Sequence, residues 1–189
     1  MIFRELSQQD AERIRVERNE LVGKGILRTP YLLTEQMQAD WYLSEIANRE
    51  SRTRYWGFYS EKEDTYHYFV GYGGLEFIDW VNGMAEMSVM IFEAHLREGF
   101  GSQAVEKILE QAFDHLRLDT VCAEVYECNP NQPFWDKMGS QDRVFLPRRK
   151  FHEGVLYGSY YYLWTREAYN TKRSGIDLDR ILSATTGSA

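Results

Sequence analysis

The sequence predicts an α/β domain (α+β in some schemes), with a mixed, mostly antiparallel central sheet flanked by helices. Three observations predict this class. Apolar and polar residues alternate in several short segments, one long segment has helical periodicity, and Asn82-Gly83 is a dipeptide typical of hairpins. The chain has 189 residues, 43% of them hydrophobic, which is enough for one domain with a substantial core.

The N-terminal half alternates strand-like and helix-like segments. The predicted elements are, in order, a strand at 2–6, a helix at about 8–21 capped by Ser7, a helix from Thr34 to about Asn48, and a hairpin of strands 54–60 and 65–79 turning at 61–64. The glycines Gly71, Gly73 and Gly74 lie inside a strand pattern, which favours a bulge or a close strand contact over a dinucleotide-binding loop.

The C-terminal half completes the domain. The predicted elements are, in order, a strand after Asn82-Gly83, a helix from about Gly101, a strand at 119–127, a short helix at 131–138, and closing strands at 143–152 and 155–165 that turn near Glu153-Gly154. These boundaries define a domain over 1–165. Residues 166–189 are expected to be a partly mobile tail with a short helix at 177–183.

Residues 85–102 are the most informative segment. An apolar strand runs into a short loop, Gly99 and Gly101 flank one aromatic residue, and an amphipathic helix follows at once. Such a junction points several backbone N–H groups and the positive end of a helix at one place. It therefore predicts an anion site, most simply one for a pyrophosphate.

This junction resembles the acetyl-CoA-binding motif of the GNAT N-acetyltransferase superfamily, Gln/Arg-x-x-Gly-x-Gly/Ala. Leu96 takes the first position in place of the family's Gln or Arg, and Arg97 follows it. Two further segments fit the family's order, Val70 to Leu75 before the motif strand and Asn129 to Gly139 after it. The resemblance extends from about Phe3 to Trp164. It implies the GNAT fold, acetyl-CoA as cosubstrate and transfer of an acetyl group to an amine.

The resemblance also implies which residues contact the cofactor. Those expected to bind acetyl-CoA are Val89, Met90, Ile91, Leu96, Arg97, Glu98, Gly99, Phe100, Gly101, Ser102, Asn129 and Trp135. Backbone N–H groups near Val89 to Ile91 would bind the pantetheine arm and the oxyanion, helped by a bulge that separates this strand from the next. Asn129 would bond the pantetheine arm, but Asn129-Pro130 is equally a turn signal.

Glu86 is the candidate catalytic base. The sequence Ala85-Glu86-Met87 lies thirteen residues before Gly99, and a catalytic glutamate occurs at nearly this spacing in histone-type members of the family. A structural role, pairing with an arginine, is the alternative. Glu124 on the next strand is a weaker candidate, and either carboxylate can act through an ordered water.

The group that protonates the leaving thiolate is less evident. Trp135 stands where the family has a tyrosine, and an indole N–H cannot give up its proton at neutral pH. Trp135 is better interpreted as a core residue or a wall of the thioester channel. Tyr126, a tyrosine of the closing strands or water would then supply the proton.

Composition narrows the function further. The net charge of -7 argues against nucleic-acid binding, and we expect no membrane span and a cytoplasmic location. Cys122 and Cys128 form no Cys-x-x-Cys and the four histidines are scattered, so no metal site is expected. The tyrosine-rich closing hairpin is interpreted as sheet core and dimer contact ahead of a substrate cage, so a homodimer is one expected arrangement.

The sequence thus predicts an enzyme that acetylates a primary amine, either a protein N-terminus or a small molecule, by direct attack in a ternary complex. Arg18-Asn19 and Arg28-Thr29-Pro30 resemble the acceptor side of enzymes that acetylate ribosomal N-termini or amino-sugar nucleotides. An amino-sugar nucleotide acetyltransferase and a catalytically silent CoA-binding module remain the alternatives. The substitutions Leu96 and Trp135 favour the silent module, whereas Glu86 and the intact Gly-x-Gly favour the enzyme.

Overall fold

The computed structural model describes residues 1–61, 68–139 and 142–174. Within them seven strands form one sheet in the order β1-β2-β3-β4-β5-β7-β6. The strands are β1 Ile2–Glu5, β2 Arg54–Tyr59, β3 Phe69–Asp79, β4 Met84–Ile91, β5 Thr120–Tyr126, β6 Asp142–His152 and β7 Val155–Thr165. The helices are α1 Gln8–Asn19, α2 Glu35–Trp41, α3 Phe100–Glu110, α4 Gln132–Met138 and α5 Arg166–Ser174.

Of the six strand pairs among the described residues, five are antiparallel, and only β4 and β5 run parallel. The predicted fold class is therefore confirmed. The parallel pair is the one that needs a long crossover connection, and α3 supplies it.

Local sequence explains where the first helices begin and end. The Ser7 hydroxyl accepts from the Asp10 N–H at 3.2 Å while the Asp10 carboxylate accepts from the Ser7 N–H at 2.8 Å, a reciprocal capping box. The Thr34 hydroxyl caps α2 by accepting from the Met37 N–H at 3.2 Å. The helix predicted to reach Asn48 instead changes to a π-helical turn at Tyr42–Ile46.

Apolar residues pack on both faces of the sheet. The larger core joins α3 to the sheet through residues such as Val105, Ile108 and Val121, all fully buried. A smaller cluster of Leu6, Ile14 and Phe92 packs α1 against the opposite face. Neighbouring residues of one strand point to opposite faces, so the charged positions of β4 and β5 share the α1 face.

The glycines of β3 mark a close approach between strands, as predicted. A Cβ added to Gly74 would lie 2.0 Å from the Arg54 carbonyl oxygen of β2, and one added to Gly73 would lie 2.5 Å from the Ser88 carbonyl oxygen of β4. No side chain fits at these positions without moving backbone. Glycine there lets β2, β3 and β4 pack closely together.

The irregularity in the pairing of β4, the strand before the Gly-x-Gly motif, lies at a different place from the predicted bulge. Between β3 and β4 the register shifts at Glu76–Asp79, where Phe77 has φ 52°, and pairing is regular along Val89 to Ile91. A residue in the left-handed region bends β3 at this point. The expected separation from the next strand does exist, but strand divergence rather than a bulge in β4 produces it.

The segment expected as a tail begins with an ordered helix. In α5 the Tyr169 ring packs on Phe113, with ring centroids 5.2 Å apart, and Arg173 pairs with Asp114. The segment is strongly polar overall and therefore lacks a clear apolar signal in the sequence. The predicted turn beyond Glu61 and the predicted helix at 177–183 lie outside the described residues.

Candidate active site

The parallel strands β4 and β5 separate in the middle of the sheet. They pair only at Met84↔Thr120, Ala85↔Val121 and Glu86↔Cys122. Beyond Glu86, β4 stays paired with β3 up to Ile91, whereas β5 pairs with β7 up to Tyr126. A wedge-shaped gap opens between the two strands, and the edge of β4 from Met87 to Ile91 has no ladder partner on β5 among the described residues.

The start of α3 lies just beyond the end of β4. Its N-cap, Gly99, has φ 84°, a left-handed conformation that glycine adopts without strain, and Arg97 has φ 67°. No side chain of the described residues caps the helix, and no acidic residue lies in its first turn. The backbone N–H groups at this end are therefore available to an anion, as the sequence predicted.

Gly101 connects the helix start with the gap between the strands. A Cβ at Gly101 would lie 3.3 Å from the Phe134 ring of α4 and 3.9 Å from the Ile91 side chain. The motif loop, the end of β4 and α4 thus meet at one place. Of the predicted cofactor residues, Leu96, Arg97 and Glu98 are exposed in the loop, while Val89, Ile91 and Phe100 pack against the larger core.

The two predicted cofactor residues from the second half of the site have structural roles. The Asn129 side chain accepts from the Asn131 N–H at 2.9 Å, so it forms the turn that its sequence signals. Trp135 is 8% exposed and packs against Tyr162 and Trp164, with ring centroids 6.3 and 6.2 Å away. Trp135 is a core residue, and contact of either side chain with a cofactor stays a prediction.

Glu86 lies where the strands begin to separate, and it is not alone there. Glu76 of β3 is its direct partner across the antiparallel ladder, and Glu124 lies on β5 two residues beyond Cys122, which pairs with Glu86. The side chains of Glu76, Glu86 and Glu124 are only 24%, 16% and 4% exposed. Three strands therefore bring three carboxylates to the α1 face of the sheet.

Two guanidinium groups balance part of this charge. Arg28, from the loop between α1 and α2, bonds Glu86 and lies 3.5 Å from a Glu76 carboxylate oxygen and 3.4 Å from a Glu124 oxygen. Arg149 of β6 donates to the other Glu124 oxygen at 3.1 Å, and the Ser159 hydroxyl donates to that same oxygen at 2.8 Å. Glu76 also accepts from the Tyr55 hydroxyl.

These surroundings shift the pKa values of the three carboxyl groups in different directions. Burial raises the pKa of Glu86 and outweighs the opposing effect of Arg28, and burial likewise raises the pKa of Glu76. Burial also acts to raise the pKa of Glu124, but the Ser159 hydrogen bond and Arg149 lower it overall. Glu86 is therefore the better proton acceptor and Glu124 the more firmly ionised group.

Tyr126 and Cys122 complete the surroundings of Glu86. Burial raises the pKa of the Tyr126 hydroxyl, and burial together with the charge of Glu86 raises the pKa of the Cys122 thiol to about 11. Both groups are protonated at neutral pH. A thiol in this state is a poor nucleophile, whereas a protonated phenol can donate a proton.

Sequence reasoning identified Glu86 and Glu124 but missed Glu76 and Arg149 and gave Arg28 no role in the cluster. A signal existed for Glu76, because strand alternation and the Asn82-Gly83 turn place it close to Glu86 across a hairpin. No short-range pattern connects Arg28 or Arg149 to this cluster. Among the described residues, no group of three or more His, Cys, Asp or Glu side chains is arranged to hold a metal ion.

Comparison with known proteins agrees with this geometry. A family model described as "Acetyltransferase (GNAT) domain" matches residues 1–132, more than half of the chain. The chain belongs to the GNAT acetyltransferase family. No curated protein sequence matches it at a significant level.

Solved GNAT structures share its fold over nearly its whole length. A chimera of the spermidine N-acetyltransferase from Vibrio cholerae with hSSAT aligns with TM-score 0.76 and 20% identity, covering 90% of this chain and 99% of that one. The Vibrio cholerae enzyme in complex with CoA and spermine aligns with TM-score 0.75 and 20% identity, covering 89% of this chain and 96% of that one. A dodecameric structure of that enzyme aligns with TM-score 0.73 and 19% identity, covering 89% of this chain and 95% of that one.

Family membership establishes the reaction class. This GNAT protein is an acetyl-CoA-dependent N-acetyltransferase. At identities of 19–20% the solved structures establish the fold alone. In the part of the chain that the structure describes, no helix is long and apolar enough to cross a bilayer.

Proposed function

We propose that this GNAT enzyme acetylates a primary amine at the gap between β4 and β5, with Glu86 as general base. One observation carries the proposal. A largely buried carboxylate with a raised pKa lies at the point where the two strands separate. A general base needs a pKa near the working pH and a position beside the reacting nitrogen. Burial raises the pKa of Glu86, and its place at the start of the gap would put it beside the amine.

The cofactor would lie along the gap, starting from the pyrophosphate. The free N–H groups of residues 97–102 at the start of α3 would bind the pyrophosphate, and the open edge of β4 from Val89 to Ile91 would bind the pantetheine amides. The thioester would then point back along β4 toward Glu86. A backbone N–H of the same edge would bond the carbonyl oxygen as negative charge develops on it.

The reaction would be a direct attack. The amine nitrogen loses a proton to Glu86, directly or through one water, and bonds to the thioester carbonyl carbon. The carbon–sulfur bond then breaks, and the CoA thiolate takes a proton. Tyr126 supports the last step because its hydroxyl is protonated at neutral pH and lies in the same charged cluster. The high pKa of Cys122 argues against an acyl-enzyme intermediate.

The acceptor is proposed as a small cationic amine. Three carboxylates at one end of the gap favour a positively charged molecule. The fold neighbour that was solved with CoA and spermine is a spermidine acetyltransferase, which supports the same class. An amino-sugar nucleotide carries phosphate charge, and the carboxylates disfavour it. The silent CoA-binding module stays the alternative from another class.

A screen of acceptors tests the proposal. The protein is mixed with acetyl-CoA and, in turn, with small diamines, a peptide N-terminus and an amino-sugar nucleotide, while released CoA thiol is measured and the product is identified by mass. We expect thiol release with the diamines and a singly or doubly acetylated product. Acetyl-CoA binding with no thiol release for any amine would instead support the silent module.

A further inference from the structure

We propose that Arg28 occupies the place of the acceptor's second positive charge and thereby selects for acceptors that carry two. This inference rests on the function proposed above. It gives Arg28 a role in choosing the acceptor: the side chain holds the site closed, and a dicationic amine replaces it.

The carboxylates of this site need a cation. Glu76 and Glu86 face each other directly across the β3–β4 ladder, an arrangement of like charges that destabilises a sheet. Glu124 adds a third carboxylate from β5, and each of the three groups is less than one quarter exposed. A cation between them removes this repulsion, and in this structure Arg28 provides it.

Arg28 contacts all three carboxylates from outside the sheet. Its guanidinium bonds Glu86 and lies 3.5 and 3.4 Å from oxygens of Glu76 and Glu124. Phe77 covers it from one side, with the guanidinium carbon 5.4 Å from the ring centroid. Carboxylates and an aromatic face are the groups that recognise an organic cation, so Arg28 occupies a site suited to an ammonium group.

The loop that carries Arg28 can release it. Side chains hold this loop: Lys150 donates to the Leu27 carbonyl at 2.5 Å, Cys128 to the Gly25 carbonyl at 3.5 Å, and Asn19 to the Leu33 carbonyl at 2.9 Å. None of these contacts involves the Arg28 side chain, which is 40% exposed. Its guanidinium can swing into solvent while the loop stays attached.

Charge explains why a dication replaces it best. With Arg28 in place, three carboxylates face two guanidinium groups. When Arg28 leaves, Arg149 alone remains opposite them and two negative charges are unbalanced. An acceptor with two ammonium groups compensates both charges, one more than Arg28 does: one ammonium gives its proton to Glu86 and reacts, and the other takes the place of the guanidinium. A monocation leaves one charge uncompensated, as Arg28 itself does, and so gains nothing in charge balance by replacing it.

The opposite role for Arg28 makes a different prediction. If Arg28 stayed in place during turnover, its guanidinium would bind a carboxylate of the acceptor. The preferred acceptor would then be an amine that carries a carboxylate, and removing Arg28 would weaken its binding.

Three amines of equal chain length separate the two roles. Thiol release is measured with butylamine, 1,4-diaminobutane and 4-aminobutyrate for the wild type, Arg28→Gln, Arg28→Lys and the control Arg13→Gln, which removes an exposed arginine that pairs with Glu17 on α1. In the wild type we expect 1,4-diaminobutane to have the highest kcat/KM. Arg28→Gln should lower its KM about tenfold, because the competing side chain is gone, with kcat within twofold of wild type.

The remaining variants sharpen the result. Arg28→Lys restores the charge without the planar fork and should give a KM between those of wild type and Arg28→Gln. Butylamine should gain less than 1,4-diaminobutane from Arg28→Gln, and Arg13→Gln should match the wild type. A preference for 4-aminobutyrate that is lost in Arg28→Gln would overturn the proposal, as would an equal change in KM for all three amines.

Binding without turnover keeps this inference distinct from the proposed function. If no amine is acetylated, the proposed function fails. The rise in melting temperature caused by 1,4-diaminobutane alone still reports on Arg28, and it should be larger in Arg28→Gln than in the wild type. A smaller or equal rise would contradict the displacement of Arg28.

Discussion

The two ends of the candidate site between β4 and β5 differ in the groups that form them: backbone groups at one end and side chains at the other. At the end proposed for the cofactor, backbone groups of the motif loop, the start of α3 and the open edge of β4 present N–H donors, with no acidic residue in the first helical turn. At the end proposed for the acceptor, side chains from β3, β4, β5, β6 and the α1–α2 loop form a charged cluster. The backbone end depends on open space and on the absence of negative charge, whereas the side-chain end depends on the identity of each charged residue.

The largest expected effect comes from blocking the backbone end. Gly101→Asp places a carboxylate against the Phe134 ring and at the positive end of α3, and it should abolish the rise in melting temperature caused by acetyl-CoA, and with it all activity. Gly101→Ala adds only a methyl group 3.3 Å from that ring and should keep most of the rise. Equal loss in both variants would show that bulk alone, and not charge, decides binding.

The next effect comes from the acceptor end. Glu86→Gln should lower kcat about 10²–10⁴-fold, as expected when a general base is lost, while acetyl-CoA affinity stays the same. Glu106→Gln, on the exposed side of α3, is the matched control and should leave kcat unchanged. The acidic limb of kcat/KM in the wild type should lie above pH 4.5, because burial raises the pKa of Glu86. Wild-type turnover in Glu86→Gln would make this residue structural.

Stability should respond to Glu124 with a defined pH dependence. Glu124→Gln removes the charge that Ser159 and Arg149 bond, and it should lower the free energy of unfolding at pH 7 by about 1–3 kcal/mol. The pKa of Glu124 is lowered in the folded protein, so its contribution is complete above the unfolded value of 4.5 and is lost as pH falls through the folded pKa.

Denaturant unfolding from pH 7 to pH 3 measures this dependence. The difference between wild type and Glu124→Gln should narrow below pH 4.5. Glu110→Gln breaks an exposed pair with Lys107 and should change stability by only about 0–1 kcal/mol. A difference that is constant with pH would show that the charge of Glu124 makes no contribution to stability.

The smallest effect on turnover should come from Trp135. Trp135→Phe should keep most activity, because the indole packs in the core against Tyr162 and Trp164. Trp135→Ala, by contrast, should lower stability by about 3–5 kcal/mol through the cavity that it leaves. If Trp135→Phe folded normally and bound acetyl-CoA but lost most of its turnover, the indole N–H would have a part in the reaction.

The same contrast explains how much of the site the sequence predicted. The proposed cofactor end comes from one continuous segment, so Gly99, Gly101 and the strand before them are visible as a pattern, and the predicted strand-to-helix junction is confirmed, while contact with the cofactor stays a prediction. Glu86 was found because it lies on that segment. Arg28 and Arg149 lie about 60 residues to either side of Glu86, and only the tertiary fold, through the α1–α2 loop and the strand order, brings them together.

Fold prediction failed where local propensity gives no signal. The strands and the first four helices follow from alternation, caps and turn residues, and most of their described bounds agree with the structure to within two residues, the exception being α2, which ends at Trp41 and not near Asn48. Helix α5 was missed because its residues are mostly polar and its stability comes from Tyr169 packing on Phe113. The separation of β4 from β5 was predicted, but its cause, divergence toward different partner strands, depends on tertiary structure.

The short seam between β4 and β5 has a consequence for hydrogen exchange. Three residue pairs join a four-stranded ladder, β1 to β4, to a three-stranded one, β5 to β7. Amide protons on the open edge of β4 from Met87 to Ile91 lack a ladder partner on β5 and should exchange with deuterium much faster than those of β3 beside them. Acetyl-CoA bound in the gap would slow this exchange, because the pantetheine arm would complete the interrupted ladder.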